Sequence, residues 1–237
     1  MQDRAVSRGV VSLVFDDGYQ DVFDHVLPLL RQRGIRATFA IPVDTERVAR
    51  TEQAALASLE TWKDVCHRDG HELAAHGVTH RPLTELDDVE LERELRESQT
   101  ATGATTLVYP GGAFDERVKQ AATTVFRAAR TTAWGVENLP PHDPYALRTL
   151  NATSKNFRRW KFQARELQAL LVGQWVIETF HRVTAHPVHP HDVSLDDFSQ
   201  HLSWLCRLPI RIATICDVMH DRAPLPTFAP PHNGNIP

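Results

Sequence analysis

Short apolar, β-branched runs recur along the chain and alternate with segments of helical spacing. The first run, VVSLVF at residues 10–15, is typical of a strand that is covered on both faces. After it, apolar positions between Phe23 and Leu30 fall at i, i+3, i+4 and i+7, which predicts a helix, and Gly34 is placed to end it. Pro28 inside this segment indicates a kink or a late helix start.

The same hydrophobic pattern predicts further strands and helices as far as residue 213. Further strands are predicted at 36–41, 72–75, 105–109, 128–132, 147–150, 175–180 and 210–213. Helices are predicted at 56–68, 87–100, 115–126 and near 194–206, with Val89, Leu91 and Leu95 facing the core from the second of them. This alternation indicates parallel β/α units, in an α/β barrel or a doubly wound sheet. In both folds ligands bind at the C-terminal ends of the strands, so candidate chemistry is sought there.

Length and composition narrow the class of protein. The 237 residues, with 42% hydrophobic and 24% charged positions, suit one large α/β domain, predicted to span residues 1–220. A net charge of -4 favours neither nucleic acid nor an anionic membrane as partner, and no apolar run is long enough to span a bilayer. Residues 1–9 lack the apolar core of a signal peptide, so a cytoplasmic protein is expected if Met1 is the native start. Residues 221–237, rich in Pro, Gly and Asn, are predicted to be an extended or disordered tail.

Two carboxylates stand directly after the first predicted strand, in Phe15-Asp16-Asp17-Gly18. Asp-Gly is a common turn dipeptide, and a turn alone would account for it. The functional interpretation is that one carboxylate binds a cation while its neighbour, which points elsewhere, stays free as a general base.

A pair of histidines four residues apart follows the third predicted strand, in His76-Gly-Val-Thr-His80. On one helical face such a pair can share a metal ion. With 13 histidines in the chain this spacing also arises by chance, and a second copy occurs at His67 and His71. Gly70 interrupts that second pair, which we interpret as coincidence.

Two more strand ends carry candidate groups. Tyr109-Pro110-Gly111-Gly112 ends the fourth strand; it is a turn, and its glycines also allow a backbone N–H to approach a ligand closely. His181 follows the strand WVIETF, where a structural role is the common one. If all four strand ends meet at one barrel mouth, one Asp and two His give an open three-ligand set, typical of a hydrolytic metal site.

With these motifs in place, the sequence resembles the polysaccharide deacetylases of carbohydrate esterase family four. The resemblance runs from about residue 10 to residue 218 and rests on FDDG, GHELAAHGVTH, YPGG and the strand that ends in FHRV. It implies a single-domain α/β fold, a distorted (β/α)7-type barrel. It also implies a metal-dependent N-deacetylase that acts on an acetylated amino sugar in an oligosaccharide, polysaccharide or glycosylated precursor.

The resemblance also implies a role for each matching residue. Asp17, His76 and His80 would ligate the metal, usually zinc, with cobalt or nickel as substitutes. Asp16 would be the base that deprotonates water, and His181 would be the acid that protonates the leaving amine. The backbone N–H of Gly111 would help to stabilise the oxyanion.

The third motif departs from the family pattern Arg-x-Pro-Tyr, because Val108 stands at the Arg position and Gly111 at the Tyr position. The aromatic wall that the tyrosine usually provides is therefore missing. The arginine that commonly supports the base is expected instead at Arg148, for which a solvated surface position is the alternative.

Several histidines, tryptophans and cysteines lie outside these motifs. We interpret HPVHPH, with His186, His189 and His191, as an extended loop that could cover the mouth rather than as a second metal cluster. Four tryptophans are candidates for a sugar-stacking surface, although burial is the commoner fate: Trp134, Trp160, Trp175 and Trp204. The cysteines are odd in number and widely spaced, which predicts reduced thiols: Cys66, Cys206 and Cys216. Two other functions remain open, a metal-dependent amidase on a non-sugar amide and a sugar-binding relative without activity.

Overall fold

Seven parallel strands follow one another around a closed barrel in the computed structural model, which describes residues 9–220. The strands are β1 (Val10–Asp16), β2 (Thr38–Ile41), β3 (Glu72–Ala75), β4 (Thr106–Val108), β5 (Ala128–Trp134), β6 (Leu147–Asn151) and β7 (Trp175–Phe180). The barrel closes because β1 pairs with β7, from Val10 opposite Trp175 to Phe15 opposite Phe180. The predicted single-domain, distorted (β/α)7-type barrel is confirmed.

Three short strands complete the sheet structure. Strands β8 (Arg182–Thr184) and β9 (Asp192–Ser194) form a separate parallel pair beyond the end of β7. Strand β10 (Arg211–Ile212) pairs with Val10 and Val11 at the start of β1, whereas β2 pairs with the end of β1 from Val14 onward. One edge of β1 is therefore shared by two strands, which is where the barrel departs from regularity.

Eight α-helices accompany the strands in the described part of the chain. They are α1 (Leu27–Arg33), α2 (Thr45–Glu52), α3 (Leu59–Asp69), α4 (Asp88–Thr102), α5 (Glu116–Thr123), α6 (Arg159–Val172), α7 (Leu195–Leu205) and α8 (Ile215–His220). A π-helical turn, Val22–Val26, leads into α1, so Pro28 falls in the first turn of that helix and does not break it. No helix within residues 9–220 combines the length and the apolar character needed to cross a bilayer.

Alternation along the strands divides the buried side chains into two layers. Val10, Val14 and Ile177 pack together inside the barrel, whereas Leu13, Phe15 and other neighbours of opposite parity pack against the helices. Position 16 therefore continues the inward-facing series of β1. This parity decides which residues at the strand ends reach the mouth of the barrel.

The structure corrects some sequence-based boundaries and adds elements. The predicted helix 56–68 spans Leu59–Asp69, and Val89, expected in the core, is 79% exposed on α4. Helices α2 and α6 were not predicted. The predicted tail, residues 221–237, lies outside the described residues. The three cysteines are free, as predicted.

Candidate metal and catalytic site at the barrel mouth

The two aspartates at the end of β1 point in different directions because the backbone turns between them. Asp16 is the last residue of the strand, whereas Asp17 adopts a left-handed conformation with φ 71°. Such a conformation is uncommon for a residue with a side chain and costs about 1–3 kcal/mol. The turn is fixed from below by Trp62, whose indole N–H donates to the Gly18 carbonyl at 3.2 Å.

The histidine pair lies on a loop after β3 and not on a helix, contrary to the expectation of a shared helical face. Gly77 and His80 both have positive φ, 73° and 60°, so the loop folds back and returns His80 to His76. The buried carboxylate of Glu94, on α4, accepts hydrogen bonds from the backbone N–H of Val78 at 2.6 Å and of Thr79 at 3.2 Å, and one from the Thr79 hydroxyl at 2.6 Å. Sequence reasoning placed Glu94 only within a charged helix and missed this role.

Three ligand atoms converge at the mouth. Asp17 Oδ1 lies 3.3 Å from His76 Nε2 and 3.1 Å from His80 Nε2, and the two Nε2 atoms are 3.2 Å apart. His76 Nδ1 donates to the Val108 carbonyl at 2.8 Å, which leaves the Nε2 lone pair directed at the other two atoms. Lone pairs that face one another at these distances need a proton or a cation between them, so the donor set fits a divalent metal ion.

The charge of Asp17 suits a metal ligand. Burial by itself would raise the pKa of Asp17, but hydrogen bonds from His76 and His80, when their Nε2 atoms carry protons, outweigh burial and hold the pKa well below its usual range. A cation between the three atoms would favour the ionised carboxylate in the same way. The buried Oδ1 has no hydrogen-bond partner among the described residues. An anionic oxygen in this position is ready to bind a cation.

Asp16 is held by Arg130 and not by Arg148. Arg130 Nη2 donates to Asp16 Oδ2 at 2.5 Å, and both side chains are buried. Asp16 Oδ1 has no partner within the described residues and is the free oxygen. The expectation of Arg148 is corrected, because Arg148 lies on the outward parity of β6 and pairs with Glu137 at 2.9 Å. In β5, Ala128 packs inside the barrel, and alternation puts Arg130 on the same side.

His181 follows the inward parity of β7 and reaches the same site. Its Nε2 lies 3.8 Å from Asp16 Oδ2, and its ring packs against that of His191 at 4.8 Å between centroids. Burial lowers the pKa of His181, although the carboxylates of Asp16 and Asp17 oppose this effect. A lowered pKa makes the protonated imidazole a stronger acid.

The Tyr109-Pro110-Gly111-Gly112 turn forms another wall of the site. Gly111 has φ 62° and lines the cavity, as does Gly112. A Cβ on Gly112 would lie only 2.1 Å from Thr132 Oγ1, so this position requires glycine. The Tyr109 ring is buried, stacks on Phe114 and donates its hydroxyl hydrogen to the Tyr145 carbonyl, which makes it a structural side chain.

These groups line one cavity of about 240 Å³ at the C-terminal ends of the strands. Asp16, Asp17, His76, His80, Gly111 and His181 all contribute to it, whereas Arg148 does not. Sequence reasoning missed five of its lining residues: Tyr19, Glu52, Arg130, Thr132 and Asn151. The inward parity of the last three could have revealed them, whereas Glu52 lies on a helix that was not predicted.

The remaining histidine and tryptophan candidates fall outside the metal cluster. His67 is exposed on α3, and His71 accepts a hydrogen bond from the backbone N–H of Ala37. From the HPVHPH loop only His191 lines the cavity, and the loop is anchored where Asp192 accepts from the backbone N–H of Val188 and His189. None of the tryptophans lines the cavity; Trp175 is buried, Trp204 is partly buried, and Trp134 and Trp160 are 48% and 67% exposed.

The chain belongs to the polysaccharide deacetylase family, whose model matches residues 3–126 of the 237. Among curated proteins the comparison found no match. Several solved structures share the fold. The Xyl-CE4 domain of a multidomain xylanase from the hindgut metagenome of Trinervitermes trinervoides is 18% identical, with a TM-score of 0.60 and 90% of each chain covered.

Two further structures share the fold. A peptidoglycan N-acetylglucosamine deacetylase, solved with a bound N-hydroxybenzamide derivative, is 17% identical, with a TM-score of 0.58 and coverage of 88% of this chain and 86% of that one. A family-four pseudoenzyme from Bacillus anthracis is 12% identical, with a TM-score of 0.59 and coverage of 89% and 65%. At these identities the likeness shows the fold alone.

Proposed function

We propose that this protein is a metal-dependent hydrolase that removes the acetyl group from an N-acetylated amino sugar. Family and fold support a deacetylase that acts on sugars. The observation that carries the metal dependence is the convergence of Asp17, His76 and His80 beside the Asp16–Arg130 pair in one cavity. This combination supplies a cation site and a separate free carboxylate, which a hydrolytic metal site needs.

The residues divide the reaction between them. A divalent cation on Asp17, His76 and His80, with zinc as the leading choice and cobalt or nickel as substitutes, would polarise the acetyl carbonyl and make water more acidic. Asp16 takes the proton from the attacking water through its free Oδ1, while Arg130 fixes the other oxygen. The new C–O bond forms as the carbonyl becomes an oxyanion, to which the backbone N–H of Gly111, a residue that lines the cavity, would donate a hydrogen bond.

Collapse of the tetrahedral carbon breaks the C–N bond and releases acetate. His181 donates its proton to the departing nitrogen, which leaves as the amine. His181 Nε2 lies 3.8 Å from Asp16 Oδ2 and both residues line the same cavity, so the base and the acid can act on one reacting centre. The proton that Asp16 gained and the one that His181 lost balance over the turnover.

The shape of the mouth supports a sugar as the carrier of the acetamide. The cavity is smaller than a typical ligand pocket of roughly 300–1,000 Å³, so it suits an acetamido group with part of one ring. A second depression shares Tyr19, Glu52 and His191 with the cavity and adds Arg182. These polar groups offer hydrogen bonds to hydroxyls of a sugar that extends from the mouth.

Acetate release tests the proposal directly. The purified protein is incubated with N-acetylglucosamine oligomers, sugar nucleotides and small acetamides, with zinc or with a chelator, beside the variant His80→Ala. We expect release from a sugar substrate that chelation abolishes and zinc restores, and that His80→Ala lacks. Release from small acetamides alone would favour an amidase, and no release from any of them would favour a non-catalytic sugar-binding relative. Activity that survives chelation would disprove the metal dependence.

A further inference from the structure

A second group of ionisable side chains lies outside the barrel wall, between β7 and its helices. Glu178 projects from the outward face of β7, Glu166 comes from α6 and His201 from α7. All three side chains have no solvent exposure. Within residues 9–220 this is the one place besides the mouth where three carboxylate or imidazole ligand atoms converge within 4.8 Å.

We call Glu166, Glu178 and His201 the inner cluster, because all three are fully buried between the barrel and its helices. As at the mouth, carboxylate oxygens lie close to an imidazole nitrogen. His201 Nε2 lies 2.8 Å from Glu178 Oε2 and 3.4 Å from Glu166 Oε1. The indole N–H of Trp204 donates to the other oxygen of Glu166 at 2.7 Å, which orients this carboxylate as outer hydrogen bonds orient metal ligands. Glu166 Oε1 and Glu178 Oε1 are buried and have no hydrogen-bond partner in the described part of the chain.

The charge of the inner cluster must be neutralised. The rings of Phe157, Phe162 and Phe180 surround His201, and no lysine or arginine within residues 9–220 forms an ion pair with either glutamate. Burial raises the pKa of Glu166 to about 9 and that of Glu178 to about 8, because two carboxylates in an apolar layer are costly to ionise. Protons shared between the carboxyl groups or one divalent cation would each remove this cost.

We propose that Glu166, Glu178 and His201 hold a second divalent transition-metal ion of the zinc class, as a structural centre that ties α6 and α7 to β7. All three ligand atoms converge within 4.8 Å, and each glutamate has an oxygen without a partner among the described residues, which a cation would bind. A proton shared between the two carboxyl groups is the alternative occupant, and the metal content of the protein distinguishes the two. One imidazole and two carboxylates suit zinc, manganese or ferrous iron, and the two negative charges match a charge of +2. Because the site is sealed, the ion enters as the protein folds and contributes to stability.

The metal content of a variant that lacks the three mouth ligands tests whether the inner cluster binds a metal ion. The triple variant Asp17→Asn/His76→Ala/His80→Ala is refolded with zinc, desalted and measured by inductively coupled plasma mass spectrometry, with circular dichroism to verify folding. We expect about one zinc per folded chain, held by one imidazole nitrogen and carboxylate oxygens in the X-ray absorption spectrum. A folded triple variant without zinc, or one whose bound zinc shows two or more imidazoles, overturns the proposal.

A second arm identifies the ligands. In the same triple background, Glu166→Gln/Glu178→Gln should lose the remaining zinc, whereas Glu97→Gln, an exposed glutamate on α4, should keep it. Chelation during refolding should lower the Tm of the triple variant and leave that of the Gln double variant unchanged. Zinc retained by a folded Gln double variant would contradict the assignment. If that variant does not fold, the zinc content of the triple variant still gives the answer.

Discussion

The barrel mouth and the inner cluster both gather buried carboxylates around imidazole nitrogen, but they are built differently. At the mouth the ligands stand on loops, and Asp17 and His80 both adopt left-handed backbone. In the inner cluster Glu166, Glu178 and His201 stand on regular helices and a strand. The mouth opens on a cavity, whereas the inner cluster is sealed among aromatic rings. A strained backbone and an open cavity are typical of a reactive site, and the mouth has both. The regular backbone and complete burial of the inner cluster are typical of a structural site.

This difference leads to a general expectation. Substitutions at the mouth should change turnover or metal affinity first, and substitutions in the layer outside the barrel should change stability first. Four variants sharpen or break this contrast, beginning with the largest expected effect.

Asp16→Asn should reduce turnover by roughly 10²–10⁴-fold, because the amide cannot accept the proton of water. The variant should still bind zinc, since Asp16 is not one of the three converging ligands. Initial rates of acetate release and zinc content check both statements. A variant within about tenfold of the wild type would show that Asp16 is not the base.

Arg130→Met should destabilise the protein by about 3–5 kcal/mol and lower turnover, because it leaves the Asp16 carboxylate buried without its partner. Arg130 lies at the mouth, yet its substitution should change stability as well as turnover, so it is an exception to the expected difference between the two regions. Urea denaturation and acetate release give the two readouts. Arg96→Met, from an exposed ion pair with Glu92, serves as the control and should cost at most about 1 kcal/mol. Equal turnover losses in Arg130→Met and Arg148→Met would argue against Arg130 as the support of the base.

Glu94→Gln should weaken zinc binding by about 10–100-fold, the usual range for a residue that positions a ligand. The amide presents an N–H2 group to donors from Val78 and Thr79, so the loop that carries His80 loosens. Turnover should fall at limiting zinc and recover at saturating zinc. The matched control is Glu97→Gln on the same helix, which is exposed and should behave as wild type. A Glu94 variant that zinc does not rescue would mean that the loop acts on more than the metal.

His71→Asn should have the smallest effect, a change in the pH dependence of stability. Burial lowers the pKa of His71 to about 4, below its ordinary value of 6.5. The folded state therefore binds fewer protons than the unfolded state between pH 6.5 and pH 4. The neutral His71 contributes to the free energy of unfolding in full above pH 6.5, and this contribution is lost as the pH falls towards 4. Asparagine keeps an acceptor for the Ala37 N–H without this titration. Chemical denaturation from pH 7 to pH 4 should show a flatter curve for His71→Asn than for His67→Asn, and parallel curves would contradict the assignment.

Much of the barrel was predictable because its strands are buried apolar runs that end at recognisable turns. β1, β3 and β7 match their predicted segments closely. Helix α6 escaped because its pattern is inverted: Leu171 is 74% exposed, whereas Glu166 is fully buried. Helix α2 escaped because only Thr45 and Val48 of its residues are buried. Periodicity cannot signal a helix whose buried positions are polar or few.

The sequence correctly predicted several of the residues that line the cavity from their types and their positions at strand ends, but it did not predict which of them are in contact. Asp16, Asp17, His76, His80 and His181 were found because each follows a strand. Arg130 was missed in favour of Arg148, although the alternation of β5 and β6 separates the two. The loop geometry that returns His80 to His76 depends on positive φ at both Gly77 and His80 and on the distant Glu94. Sequence spacing alone contains none of these three conditions.

The shared edge of β1 has a consequence for the order in which the protein is made. This strand carries both aspartates at its end, yet it pairs with β7 and β10, whose residues follow it by more than 160 positions. Contacts of such high sequence separation form late, because closing a long loop of chain costs entropy. A ribosome that has released the first half of the chain has produced the three candidate metal ligands and β2, which pairs with the end of β1. It has not yet produced β7, which closes the barrel along the other edge of β1, nor Arg130 and His181. Hydrolytic competence is therefore expected to arrive with the last strand, as a property of the finished barrel.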